Sequence, residues 1–281
     1  MSSTQEDPIA AYGLTALPAD PSKPAPSSSD APKPLDLSDF APPSTPLANR
    51  IRQYTKEKLP EQTFNHSLRV YSYGRIIAET YFPQFGLKSG SKLDETYFIT
   101  AMLHDIGTTP DHIHSTKLSY EFWAGLHTRD LLLNDKEDGA VAPVDQMESI
   151  VEAIIRHQDV QDKGSISTLV RLLKAQDNAR LNRSQTRLIH LGTLMDNIGK
   201  GKEMVHDETV KALNEKYSRK QWSGCFKDTV ELEKRYASAA DVQPCLTCVS
   251  SLKPWAMVSR IEGFEDAIQE NGKTIMKQWD A

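Results

Sequence analysis

The sequence has no long apolar run, few cysteines and no export signal. No stretch approaches the roughly 18 consecutive apolar residues that a membrane-spanning helix needs, and the first residues lack the basic and apolar regions of a secretory signal. Three cysteines in 281 residues make no disulfide framework. Cys245-Leu-Thr-Cys248 is a lone CxxC without a second pair. We therefore expect a cytoplasmic protein that does not contact a membrane.

Positive charge is not in excess either. The net charge is −5 at pH 7 and the isoelectric point is about 5.9, so the chain lacks the basic footprint of a nucleic-acid-binding protein. A hydrophobic fraction of 38% and a charged fraction of 25% are typical of a globular protein. The sequence leaves a monomer and a homo-oligomer both open.

Residues 1–46 differ from the rest in composition. They contain ten of the sixteen prolines and many serines, with Tyr12 and Phe40 as the only aromatic residues. Such a segment buries too little apolar surface to offset the entropy of ordering it. We predict a low-complexity, disordered tail, within which Tyr12-Gly-Leu-Thr-Ala-Leu17 could dock locally.

Residues 47–281 show apolar side chains at helical spacing, and no strand-like alternation of any length interrupts them. This pattern predicts an all-α fold in one domain. Several predicted helices carry a side chain able to bind a metal on their apolar face. These side chains are His66, His104 with Asp105, His157 and Asp196.

The pair His104-Asp105 ends an apolar helix, on the same face as Tyr97 and Ala101. An imidazole and a carboxylate directed into a core are costly unless something compensates them, and a metal ion does so. The other interpretation is a histidine at a helix C-terminus beside a solvated aspartate. His66 and His157 likewise fit either a metal site or a core histidine held by one hydrogen bond. Asp196, on the inner face of an apolar turn, needs a partner.

The order His, His-Asp, Asp resembles the HD-domain metalloproteins, all-helical enzymes named for the His-Asp pair. Six stretches, spread over about residues 44–260, further resemble the fungal cyanamide hydratases, which add water to cyanamide to give urea. The stretches are Asn65-His-Ser-Leu-Arg-Val-Tyr-Ser-Tyr-Gly74, Leu103-His-Asp-Ile-Gly-Thr-Thr109, Ser119-Tyr-Glu-Phe122, Ile155-Arg-His-Gln-Asp159, Leu194-Met-Asp-Asn-Ile-Gly199 and Trp222-Ser-Gly-Cys-Phe226.

The resemblance implies an HD-like helical bundle that binds a metal, Zn²⁺ or another divalent ion. Its ligands would be His66, His104, Asp105 and Asp196. Asp105 and His157 would be the catalytic side chains. Because charge that develops on the nitrile nitrogen needs a proton, His157 is one candidate donor, and a metal-bound water or a ligand carboxylate is the alternative. The implied substrate is cyanamide, a small molecule, and the implied reaction class is that of a hydro-lyase.

Two segments depart from the family pattern. Residues 170–187 and 237–250 look extra, either as loop insertions or as retained introns. Asp177, inside the first segment, has polar and basic neighbours, so we expect it to be solvated and not to bind the metal.

The main rival function is metal-dependent hydrolysis of a nucleotide or another phosphomonoester, which needs cations around the metal to hold phosphoryl oxygens. The cyclic-dinucleotide branch of the superfamily has lysine after His-Asp-Ile-Gly, where this chain has Thr108. An inactive scaffold would have a broken ligand set, and this set is complete. Four cations remain open as phosphate contacts: Arg69, Arg75, Lys117 and Arg156.

Overall fold

The structure is a computed structural model that describes residues 7–20, 22–134, 140–159, 163–173, 192–237 and 263–280. Helices dominate these ranges, which confirms the all-α prediction. The α-helices are α1 (Pro8–Ala11), α2 (Pro46–Lys58), α3 (Glu61–Tyr81), α4 (Lys92–Leu103), α5 (Pro110–Ile113), α6 (Tyr120–Asn134), α7 (Val144–Arg156), α8 (Thr168–Leu173), α9 (Thr193–Ile198), α10 (Asp207–Lys216), α11 (Trp222–Ala237) and α12 (Phe264–Lys273). Short 3₁₀ helices span Pro83–Phe85, Ile106–Thr108 and Lys202–Met204.

Helices α3 and α4 lie at the centre of the fold. Helix α3 contacts α4, α9 and α11, and α4 also contacts α2 and α7. Apart from Lys92 and Glu95, every residue of α4 is buried, as expected for a helix that packs against neighbours all round. No helix in the described ranges is long and apolar enough to cross a membrane.

The helix boundaries follow from local chemistry. Helix α2 starts where Ser44-Thr45-Pro46 predicts, and the Thr45 hydroxyl accepts a hydrogen bond from the Ala48 backbone N–H at 3.1 Å. Asp94 looks in the sequence like the N-cap of α4, since it precedes the apolar residues of that helix. In the structure α4 begins three residues earlier than an Asp94 cap would give, because Ser91 is its N-cap. The Asp94 carboxylate instead accepts a hydrogen bond from the buried Tyr71 hydroxyl.

Part of the segment that we expected to form a tail packs against the helices. A strand absent from our prediction, β1 (Ala16–Pro18), pairs antiparallel with β2 (Ser165–Ser167). Tyr12 is buried, and its carbonyl oxygen accepts a hydrogen bond from the Ser149 hydroxyl at 2.6 Å. The local docking that Tyr12–Leu17 allows is therefore present in the structure.

The two segments that look extra are only partly covered. Residues 170–173 complete α8, and residue 237 ends α11. Asp177 and the remainder of both segments lie outside the described residues.

Candidate metal centre

The His104-Asp105 pair is placed by the end of α4. His104 is the C-cap residue, and its Nδ1 donates a hydrogen bond to the Ala101 carbonyl oxygen at 2.8 Å. Asp105 then begins the turn of the 3₁₀ helix Ile106–Thr108. Since Nδ1 carries the hydrogen, Nε2 of His104 has a lone pair, and it lies 3.3 Å from Oδ2 of Asp105.

Gly107 lets this turn approach α6. In the sequence, a glycine directly after the apolar helix looks like its left-handed C-terminal residue. The structure differs, because Gly107 lies inside the 3₁₀ helix. A Cβ atom at Gly107 would lie 2.3 Å from the Tyr120 carbonyl oxygen, a distance that real Cβ atoms do not reach. The absence of a side chain there keeps the His104-Asp105 turn close to the start of α6.

His66, on α3, completes a compact group with the pair. Its Nε2 lies 3.6 Å from Oδ2 of Asp105, and its ring stacks on Trp222 at a centroid distance of 4.1 Å. One donor atom from each of His66, His104 and Asp105 lies within 4.8 Å of the others, and all three side chains are buried. Among the described residues these three form the one group of this kind.

The donor atoms of this group fit a metal ion. Nε2 of His66, Nε2 of His104 and both carboxylate oxygens of Asp105 are buried and have no hydrogen-bond partner among the described residues. Buried polar atoms without partners are costly. Burial lowers the pKa of each of the two imidazoles to about 4, so both are neutral at pH 7. Neutral imidazole and carboxylate are ordinary ligands for a divalent cation.

Burial raises the pKa of Asp105, and this effect is larger than the lowering of the pKa by His66 and His157. A carboxylate in this position gains from a nearby positive charge. A cation within the group would supply that charge.

Asp196 lies on the far side of the His66 ring from this group. Its Oδ2 accepts a hydrogen bond from Nδ1 of His66 at 2.6 Å. Two arginines complete its partners: Arg69 binds both carboxylate oxygens, at 2.7 and 2.8 Å, and Arg219 binds Oδ1 at 2.7 Å. Burial alone would raise the pKa of Asp196, but the two guanidinium groups outweigh it and hold this pKa well below its usual range.

His157 ends α7 as His104 ends α4. Its Nδ1 donates to the Ile154 carbonyl oxygen at 2.6 Å, and its ring centroid lies 5.3 Å from that of His104. Burial, followed by the effect of His104, lowers the pKa of His157 to about 4. Nε2 of the neutral ring therefore accepts a hydrogen bond from the Tyr120 hydroxyl at 3.2 Å.

Sequence reasoning missed several of these partners. One of them is Tyr120, which also accepts a hydrogen bond from Nε2 of Gln158 at 3.0 Å. Tyr120 and Gln158 both lie in stretches that resemble the family, but the stretches alone do not show that the two residues meet. Arg69 lies three residues after His66, on the same face of α3, so that spacing was a usable signal. For Arg219 no local pattern existed, because its partner Asp196 is 23 residues away.

A comparison with known protein families finds a match over the part of the chain that carries most of this site. The sequence profile of the HD domain matches residues 63–181, a range that includes His66, His104, Asp105 and His157 and ends before Asp196. The helical fold and the buried His-Asp group thus define an HD-domain protein.

Two relatives extend the match beyond the HD-domain profile. Cyanamide hydratase DDI2 and cyanamide hydratase DDI3 of Saccharomyces cerevisiae are each 30% identical to this chain over 250 residues. The alignment covers 89% of this chain and 92% of each relative. The chain belongs to the family of these cyanamide hydratases, within the HD-domain superfamily, and the predicted resemblance is confirmed.

Proposed function

We propose that the protein is a metal-dependent hydro-lyase that adds water to the nitrile group of cyanamide and so produces urea. The observation that carries this proposal is the buried group of His66, His104 and Asp105, whose four polar atoms have no partner in the part of the chain that the structure describes. The named activity of the yeast relatives, which align with nearly the whole chain, supports the choice of substrate.

The metal would be held by Nε2 of His66, Nε2 of His104 and a carboxylate oxygen of Asp105. Zinc suits two imidazoles and a carboxylate, although other divalent ions accept the same ligands. Asp196 as a fourth ligand stays a prediction, since its oxygens now accept hydrogen bonds from Arg69, Arg219 and His66. A bound divalent cation supplies a Lewis acid that lowers the pKa of water toward neutrality.

Asp105 has a second role in this proposal. Neither of its two oxygens has a hydrogen-bond partner within the described ranges, so one could bind the metal while the other accepts a hydrogen bond from the attacking water. That contact would orient the water toward the nitrile carbon.

The addition also needs a proton at the nitrile nitrogen. Water delivers oxygen to the carbon, the nitrogen takes up a proton, and the resulting isourea tautomerises to urea. We assign the proton transfer to His157 together with Tyr120. In the neutral ring the Nδ1 hydrogen is held by the Ile154 carbonyl oxygen, so Nε2 is the atom that would take the proton lost by the attacking water and pass it to the nitrile nitrogen. The Tyr120 hydroxyl, whose pKa burial raises, keeps its hydrogen and orients the ring through its contact with Nε2.

The rival, phosphomonoester hydrolysis, is favoured less because three of its four candidate cations are already engaged. Arg69 binds Asp196, and Arg156 pairs with Glu152 and Asp159. Arg75 contacts Glu79 and backbone carbonyl oxygens near the N-terminus. Lys117 is exposed and is the remaining candidate.

A substrate comparison tests the proposal. Purified protein would be incubated with cyanamide and, separately, with nucleoside monophosphates, and urea and inorganic phosphate would be measured. We expect urea from cyanamide, blocked by a chelator and restored by zinc. Phosphate release without urea formation would favour the rival and overturn the proposal.

A further inference from the structure

Helix α12 and the residues that follow it hold α9, the helix that carries Asp196. The Asn271 side-chain amide donates hydrogen bonds to the carbonyl oxygens of Asp196 and Asn197, at 3.2 and 3.0 Å. These carbonyls lie in the second half of a helix only six residues long. The end of α9 is thus fixed from outside by a buried side chain.

Asp280 adds a second link to the same region. Its Oδ1 accepts a hydrogen bond from Nε of Arg219 at 2.9 Å, and the Arg219 side chain is fully buried. On its other edge, Arg219 donates through Nη1 to the Asp196 carboxylate at 2.7 Å and to the Asp196 carbonyl oxygen at 3.0 Å. One guanidinium group therefore joins two aspartates 84 positions apart in the sequence.

The series of contacts from Asp280 through Arg219 and Asp196 ends at the metal-binding group. Asp196 accepts the Nδ1 hydrogen of His66, and this contact leaves Nε2 of His66 directed at Asp105. A histidine that binds a metal usually donates its other ring N–H to a carboxylate or carbonyl, which fixes the tautomer and the ring orientation. Here the carboxylate that does so is itself fixed by Arg69 and Arg219.

We propose that Asp280 is a positioning residue of the metal centre, which acts through Arg219 and Asp196 on the imidazole of His66. The inference rests on the metal centre of the proposed function. It does not depend on the substrate, because only metal binding is invoked. With Asp280 in place, Arg219 has one orientation, and the His66 ring keeps Nε2 toward His104 and Asp105.

The test is the metal affinity of Asp280→Asn. Metal-free protein would be titrated with zinc against a competing chelator, and with cobalt, whose absorption spectrum reports ligand geometry. Asparagine keeps the size of the side chain but removes the charge that holds Arg219. Loss of such an outer partner typically costs about 10–100-fold in metal affinity, and we expect a fall of about tenfold with an altered cobalt spectrum.

Asp266→Asn is the matched control, because Asp266 is exposed on α12 and contacts no part of this series. It should bind zinc with wild-type affinity. Asp280→Glu keeps the charge and should recover part of the lost affinity. If Asp280→Asn does not fold, Asp280→Ser serves in its place, since it also removes the charge beside Arg219 and leaves the contacts of Arg219 with Asp196 unchanged.

The outcomes separate this inference from the proposed function. Wild-type zinc affinity in a folded Asp280→Asn protein, even with a lower melting temperature, would overturn the positioning role and leave cyanamide hydration untouched. Weakened zinc binding in the variant of a protein that does not hydrate cyanamide would support the positioning role and overturn only the function. A wild-type protein that binds neither zinc nor cobalt would overturn the metal centre and this inference together.

Discussion

Three histidines at the site make the same kind of hydrogen bond, in which Nδ1 donates to an acceptor that is held in place. The acceptors are the Ala101 carbonyl for His104, the Ile154 carbonyl for His157 and the Asp196 carboxylate for His66. For His104 and His157 the acceptor is the carbonyl three residues earlier, at the end of a helix. The tautomer of each ring is therefore set before any ligand binds, and each Nε2 is available as an acceptor.

The role of His157 is testable with His157→Gln. Glutamine keeps similar bulk but removes the basic nitrogen that the Tyr120 hydroxyl faces. Because His157 lies outside the group of three ligands, the metal content should stay near that of the wild type. General acid assistance is typically worth about 10²–10⁴ in rate, so urea formation should slow by at least about tenfold.

Plasma emission spectroscopy and steady-state assays on the same His157→Gln sample would check both expectations. Normal turnover would show that the proton comes from elsewhere. Loss of the metal would instead place His157 among the ligands.

The buried histidines also predict how stability depends on pH. Burial lowers the pKa of His66, His104 and His157 to about 4, whereas an unfolded histidine has a pKa of about 6.5. The unfolded chain thus binds more protons between these values, so the free energy of unfolding should fall as pH decreases through this window. Each histidine contributes up to about 1.4 kcal/mol per pH unit.

Urea unfolding of metal-free protein, from neutral pH down to about pH 5, measures this slope. His157→Gln should give a shallower slope than the wild type, since it removes one of the three groups. Equal slopes would contradict the assignment of His157 as a buried neutral imidazole.

Among the secondary-structure elements, the positions of the helices were easier to predict than the contacts that set their ends. The pattern of α3 and the start of α2 follow from apolar spacing and from Thr45-Pro46, which are local signals. The role of Gly107 is different, because its neighbour is the backbone of Tyr120, thirteen residues away. A pattern within one helix carries no information about such an approach.

Gly107→Ala tests that approach. The added Cβ would lie 2.3 Å from the Tyr120 carbonyl oxygen, so α4 and α6 must separate. Overpacking of this kind costs about 1–3 kcal/mol, and zinc affinity should fall with it because His104 and Asp105 lie on the same turn.

Gly224→Ala is the control for this variant, since a Cβ there meets no atom of the described residues within 4 Å. Within α11 this change should stabilise the protein by up to about 1 kcal/mol. Chemical unfolding of both variants gives the comparison. Equal stability of the two proteins would refute the close-approach account.

At the scale of the molecule, composition did not reveal that the N-terminal segment packs against the helices. Two buried arginines hold it through backbone carbonyl oxygens. Arg171 donates to those of Pro18 and Asp20, and Arg75 donates to that of Asp39 at 3.0 Å. Backbone acceptors exist in any sequence, so the proline and serine content of residues 1–46 gives no sign of this contact.

Arg171→Met should loosen the segment. Methionine fills similar space but leaves the carbonyl oxygens of Pro18 and Asp20 without their charged donor. Hydrogen bonds to charged groups are worth about 1.5–3 kcal/mol, and we expect a loss of that order together with faster proteolysis before residue 46. Arg129→Met, at an exposed ion pair, should change stability by less than about 0.5 kcal/mol. Equal proteolysis of the two variants would argue against the anchor.

The candidate site shows what sequence alone can and cannot provide. His66, His104 and Asp105 could be predicted because their apolar surroundings in the sequence and the family resemblance point to the same residues, and the structure brings them together. Arg219, Asp280 and Tyr120 could not, because their roles depend on contacts between segments distant in the sequence.

The central claim is that one metal ion at His66, His104 and Asp105 is required for hydration of cyanamide. The most direct measurement is a zinc titration of metal-free protein, with the rate of urea release recorded at each addition. The rate should rise from zero in proportion to added zinc and level off near one ion per chain, as a single mononuclear site requires. His104→Ala should recover no activity at the same zinc concentrations. Undiminished urea release from the metal-free protein, or full recovery in His104→Ala, would contradict the account.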